Sequence, residues 1–77
     1  MNFKMEPVPN SSNVAAYGYD AKSKTLRVEF KTGQAYDYSK VPQKTVNGLA
    51  LAPSKGSYIS KHIVKGPYKA VAVAIEA

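Results

Sequence analysis

The residues with the most chemical reach in this chain are lysines gathered around one tyrosine. Lys55, Tyr58, Lys61, Lys65 and Lys69 follow one another closely in the C-terminal half. Bases around an aromatic ring are the pattern of a surface that holds nucleic acid. The ammonium groups neutralise phosphates, and the ring offers a face to an unpaired base. The plainer alternative is a solvated lysine face with Tyr58 half-buried beside Ile59. The run Ser54-Lys55-Gly56-Ser57 has the residue types of a phosphate-cradling turn. The upstream glycine and strand that such a loop needs are absent, so it reads first as a turn and helix cap, with room for one phosphate.

Other chemistries are poorly served. The chain has one histidine, His62, and no cysteine. A histidine-based metal site and a thiolate nucleophile are therefore excluded. The acids are too few and scattered to make an evident acid/base pair. The serines have no base besides His62, which reads as a packed or capping histidine. We expect no catalytic residue, metal or cofactor.

Charge placement sharpens the binding reading. Of the net +6, residues 1–39 carry five bases and four acids, while residues 40–77 carry six lysines and the single acid Glu76. No carboxylate lies between Tyr38 and Ile75. So one-sided a field attracts a polyanion or an acidic protein. It also serves simply to keep a small domain soluble, and charge alone leaves both readings standing.

The elements that must position these residues are those of one domain, since 77 residues hold one core. Residues 1–9 read as an extended lead-in. Val14–Tyr19, Thr25–Lys31 and Gln34–Tyr38 read as three strands of an antiparallel meander. In the second, Leu26, Val28 and Phe30 alternate with Thr25, Arg27, Glu29 and Lys31. A loop of Lys31-Thr32-Gly33, with glycine in the left-handed position, pairs Val28 with Tyr36 and Leu26 with Tyr38. That register gathers the apolar side chains on one face, whereas a slip by one residue disperses them. Tyr36 and Tyr38 then belong to the core with hydroxyls at its rim, rather than to a stacking platform.

Two short helices should cover that face. The first follows Pro42 and places Val46, Leu49 and Ala50 together, with Leu51 opposite; Gly48 weakens it and Pro53 ends it. The second runs from about Ser57 to Lys65, capped by Ser54 or Ser57 and stopped by Gly66-Pro67. Ile59 and Ile63 form its core stripe, and Lys61 and Lys65 lie nearly opposite. Part of Tyr68–Glu76, with Val71, Val73 and Ile75 alternating with alanine, reads as a short C-terminal strand. The core expected is Leu26, Val28, Phe30, Tyr36, Leu49, Ile59 and Ile63. The fold class is α+β: three antiparallel strands against two short helices.

Several pieces then fall into a recognisable order. They are Ser11-Ser12-Asn13-Val14, Gly18-Tyr19-Asp20, Leu26-Arg27-Val28-Glu29-Phe30, Gly33, Tyr36-Asp37-Tyr38 and Val41-Pro42. Ala52-Pro53-Ser54-Lys55-Gly56-Ser57-Tyr58, Lys61-His62-Ile63 and Tyr68 complete the set. Together they resemble the KTSC family, named for a domain at the C-terminus of some lysyl-tRNA synthetases and found also as stand-alone proteins of bacteria and phages. The likeness covers residues 10–71 as one domain and leaves 72–77 as a strand or tail. It implies that Tyr36 and Tyr38 form the family's tyrosine-x-tyrosine motif, and the synthetase context implies RNA binding. Thr45, Val46 and Asn47 depart from the larger residues usual in the first helix of that family.

The expected function is a small non-catalytic binding module. It takes nucleic acid, RNA in preference to DNA, through Lys55, Tyr58, Lys61, Lys65 and Lys69. The alternative is a phage or prophage interaction module that docks on an acidic host or virion protein. No membrane-spanning stretch or secretory leader is evident, so a soluble protein of the bacterial cytoplasm is expected, the host's if the gene is phage-borne.

Overall fold

The computed structural model of the chain describes residues 4–9 and 11–73. In chain order the elements are β1 (Glu6–Pro7), β2 (Val14–Asp20), β3 (Thr25–Phe30), β4 (Ala35–Tyr38), α1 (Gln43–Leu51) and α2 (Lys55–Tyr58). A π-helical segment, Ile59–Val64, continues α2 directly, and β5 (Ala70–Val73) follows. The strands form one antiparallel sheet in the order β1-β2-β3-β4-β5.

The expected three strands are thus the middle of a five-stranded sheet, with ends displaced by a single residue. β1 lies within the stretch read as an extended lead-in. It joins through backbone pairing alone, Glu6 opposite Tyr17 and Pro7 opposite Ala16, and two residues carry no alternation for a sequence pattern to reveal. β5 is the expected C-terminal strand, paired along β4 from Ala35–Val73 to Tyr38–Ala70. The rest of that expected strand, residues 74–77, lies outside the described residues, as do Met1 to Phe3 of the lead-in.

The register between β3 and β4 is the expected one, Val28 opposite Tyr36 and Leu26 opposite Tyr38. Gly33 sits at φ +92°, in the left-handed region that the three-residue loop requires. A bulge at Ala15 breaks the alternation of β2, because Val14 pairs with Phe30 and Ala16 with Glu29. Val14 and Tyr17, an odd number of residues apart, can therefore both enter the core.

That core joins Val14, Tyr17, Leu26, Val28 and Tyr38 of the sheet to Val41, Val46, Leu49, Ile59 and Ile63, with Val8 at its margin. Ile59 and Ile63 are wholly buried, each contributing about 2 kcal/mol of burial free energy. Phe30 and Tyr36 flank the core instead of filling it, packed edge to face with ring centres 6.0 Å apart. Tyr38 is buried. Burial raises its hydroxyl pKa above the ordinary value of about 10, with the neighbouring Tyr36 adding to the shift.

The helical layer departs from expectation in both helices. α1 is a regular helix despite Gly48. A Cβ on Gly48 would stand 2.5 Å from the Tyr58 hydroxyl. The absent side chain makes room for the Tyr58 ring, whose hydroxyl donates to the Thr45 carbonyl at 3.0 Å. The second helix begins at Lys55, earlier than expected, and its later turns widen: the Lys65 N–H donates to the Ser60 carbonyl at 3.1 Å, five residues back.

Candidate functional site

The helical segment from Lys55 to Val64 and the turn before β2 face each other. That turn is fixed by Ser11, whose Oγ accepts from the Val14 N–H at 2.9 Å and donates to Asn13 Oδ1 at 3.0 Å. The Asn13 carbonyl accepts from the Lys31 N–H at 2.8 Å, tying the turn to the end of β3. Gly56 lets the two parts approach closely, since a Cβ there would stand 2.5 Å from Ser11 Oγ.

Beside this contact lies a polar hollow of about 400 Å³. Ser11, Ser12 and Asn13 line one side of it, and Ser57, Ser60, Lys61 and Lys65 the other, with no carboxylate among its lining residues. Adjoining it is a second hollow of about 370 Å³, whose lining includes Pro7, Val8, Pro9, Pro53 and Lys55. The two hollows share Ser11, Ser54 and Gly56.

The predicted site residues therefore separate. Lys61 and Lys65 are exposed and brought together at the polar hollow, while Lys55 serves the adjoining one. Lys69 is exposed and lines neither, because Gly66-Pro67 turns the chain away towards β5. Tyr58 lies on another side of the helix from that expected. Its ring packs against the core and the hydroxyl bonds into α1, so it anchors the helix and does not line the lysine hollow. His62, expected to be packed or capping, is exposed with its ring 4.5 Å from that of Tyr58.

Ser54 acts as the helix cap, its Oγ accepting from the Ser57 N–H at 3.4 Å. An anion in the polar hollow would accordingly meet hydroxyls and ammonium groups. Tyr36 and Tyr38 point into the helix-covered face, as the register required. Sequence reasoning missed Ser11, Ser12 and Asn13, which stand far from the lysines along the chain. Only the return of the sheet brings them into reach. Among the described residues, no three histidine or carboxylate side chains gather as metal ligands, and no helix is long and apolar enough to cross a membrane.

Known proteins share this fold. The KTSC domain model matches residues 10–68. A lysine–tRNA ligase of Nostoc punctiforme is 41% identical over 61 residues, 79% of this chain and 11% of the ligase. The chain thus spans about a tenth of the length of the ligases it matches. A protein of Tsukamurella paurometabola is 38% identical over 69 residues, covering 90% of this chain and 100% of that protein. In three dimensions, the crystal structure of a KTSC domain protein from Yersinia pestis superposes with a TM-score of 0.85 at 27% identity, over 95% of this chain and 100% of that one. From residues 10–68, which hold β2 to β4 and both sides of the serine- and lysine-lined hollow, the chain belongs to the KTSC domain family.

Proposed function

We propose that this chain is a small non-catalytic binding module that holds the phosphate backbone of nucleic acid, RNA in preference to DNA, within the bacterial cytoplasm. The observation that carries the reading is the carboxylate-free hollow in which Lys61 and Lys65 stand with the hydroxyls of Ser11, Ser12, Ser57 and Ser60. Ammonium groups supply attraction and hydroxyls supply directed hydrogen bonds, the combination with which proteins hold phosphates. The absence of any carboxylate between Tyr38 and Ile75 leaves that attraction undiminished by neighbours on the same segment. Lys55 and Lys69 extend the field on either side. Tyr58 supports the site by fixing the helix. The preference for RNA is supported by the relatives, in which this segment belongs to lysine–tRNA ligases.

The test is a titration of labelled single-stranded RNA at two salt concentrations. Each neutralised phosphate contributes about −0.7 to the log–log slope, so Lys61→Ala with Lys65→Ala should flatten it by about 1.4. Binding should weaken alike for all sequences. Absence of binding at low salt overturns the reading.

A second reading, a phage or prophage module that docks on an acidic host or virion protein, draws on a different feature. β5 is one of the two edge strands of the sheet among the described residues, carries no charge from Ala70 to Val73, and leaves Val71 56% exposed. An edge of that kind accepts a strand from a partner. This reading expects no saturable RNA binding at physiological salt, and an acidic protein recovered by pull-down.

A further inference from the structure

An exposed aromatic ring does stand beside the lysines, and it belongs to His62 instead of Tyr58. His62 directly follows Lys61 and precedes Lys65 by three residues, so the ring and the ammonium groups rise from the same stretch of helix. Its ring centre lies 4.5 Å from that of Tyr58, with the two ring planes inclined at 39°. Tyr58 is itself held in place. Its hydroxyl donates to the Thr45 carbonyl at 3.0 Å, its ring uses the room left by Gly48, and it packs against the core. His62 is thus steadied from one side by an anchored ring and open to solvent elsewhere. An exposed side chain loses rotamer freedom when a ligand stacks on it. Support from Tyr58 lowers that loss in advance, which is what a stacking platform requires. The lysines on either side, on a stretch of chain with no carboxylate between Tyr38 and Ile75, select a flat ligand that carries negative charge.

We infer that His62, backed by Tyr58, is the platform on which an unpaired base stacks, in a single strand whose phosphates are held at Lys61 and Lys65. The inference rests on the phosphate-binding reading above and adds a contact that paired nucleic acid cannot make. A base inside a duplex is already covered on both faces by its neighbours. Every unpaired base has a free face, so the contact tolerates any sequence. RNA and DNA strands present the same kind of face, and both belong in the test.

The experiment titrates the full chain by fluorescence anisotropy with labelled strands of equal length: oligo(A) as RNA, oligo(A) as DNA, an abasic strand with the same number of phosphates, and an RNA duplex. Oligo(A) should bind more tightly than the abasic strand and the duplex. His62→Ala should weaken oligo(A) about fivefold, about 1 kcal/mol, the lower end of base–ring stacking, and leave the abasic strand unchanged. His62→Phe keeps a ring without a charge and should bind oligo(A) as the parent does. The His62 ring protons of the parent should move to higher field with oligo(A) and not with the abasic strand. That readout needs no substitution and stands even where His62→Ala disturbs the helix. Whichever of the RNA and DNA strands binds more tightly is assigned as the ligand. If the abasic strand binds the parent as tightly as oligo(A), if His62→Ala weakens both alike, or if His62→Phe loses as much as His62→Ala, the stacking inference falls and the phosphate reading stands. If no RNA binds at low salt, both fall.

Discussion

Gly48→Ala is the change whose sign is set by tertiary structure against helix propensity. In an isolated helix, alanine in place of a central glycine gains about 1 kcal/mol. Here the new Cβ would stand 2.5 Å from the Tyr58 hydroxyl, so the ring must swing away. That movement breaks the 3.0 Å bond to the Thr45 carbonyl, a loss of about 1 kcal/mol. Crowding and displacement of the ring cost roughly 1–3 kcal/mol more. Gly48→Ala should therefore destabilise by about 1–3 kcal/mol. In a Tyr58→Phe background the hydroxyl is gone, and the nearest ring carbon would lie 3.2 Å from the new methyl. The residual crowding and the propensity gain then nearly cancel, and Gly48→Ala should change stability by less than about 0.5 kcal/mol. Urea unfolding of the four proteins, followed by far-ultraviolet circular dichroism, measures the cycle. A Gly48→Ala protein as stable as the parent, or an equal loss in both backgrounds, refutes the account of why α1 carries a glycine.

The other expectations concern charge, strain and pH. Tyr17 and Tyr38 have hydroxyls pushed above the ordinary tyrosine range, first by burial. The folded state therefore holds those protons more tightly than the unfolded chain, and stability present below about pH 10 is lost as the pH rises through the folded-state values. Urea midpoints from about pH 8 to pH 11 should fall, and Tyr38→Phe should make that fall shallower; a parallel curve contradicts the assignment. Lys40 lies at φ +59° without being glycine. Lys40→Gly should raise stability by about 0.5 kcal/mol, the relief of the left-handed backbone less the entropy glycine adds to the unfolded chain, readable as a higher urea midpoint. Arg27 holds Asp37 through two bonds, 2.7 and 3.0 Å, on the face away from the helices. Asp37→Asn should cost about 0.5–1 kcal/mol at low salt and less at high salt; an effect independent of salt contradicts a mainly ionic role.

Much of the fold was legible because its signals are local. Leu26, Val28 and Phe30 alternate, Gly33 marks its loop, and burial of one face then selects the register that places Tyr36 and Tyr38 inwards. Ser54 as a cap and Ile59 with Ile63 as a stripe follow from spacing along one helix. β1 left no such trace, since Glu6 and Pro7 are held by backbone pairing with β2, and a backbone bond is indifferent to side-chain type.

The candidate site was half legible for the same reason. The lysines announced themselves as charge on a single segment, and the chain by itself determined that this segment would be basic and helical. It could not determine which way Tyr58 would turn. That depended on Gly48, ten residues earlier, having no side chain where the Tyr58 hydroxyl arrives. Nor could it place Ser11 against Gly56, a contact made only when the sheet returns the turn before β2 to the helix. Composition and periodicity act over a few residues, and they fixed the three middle strands, the core face and the charge. Close approach between segments distant in the chain depends on the whole packed volume, and it alone decided which of the lysines share a hollow, what stands opposite them, and that the prolines lie next door.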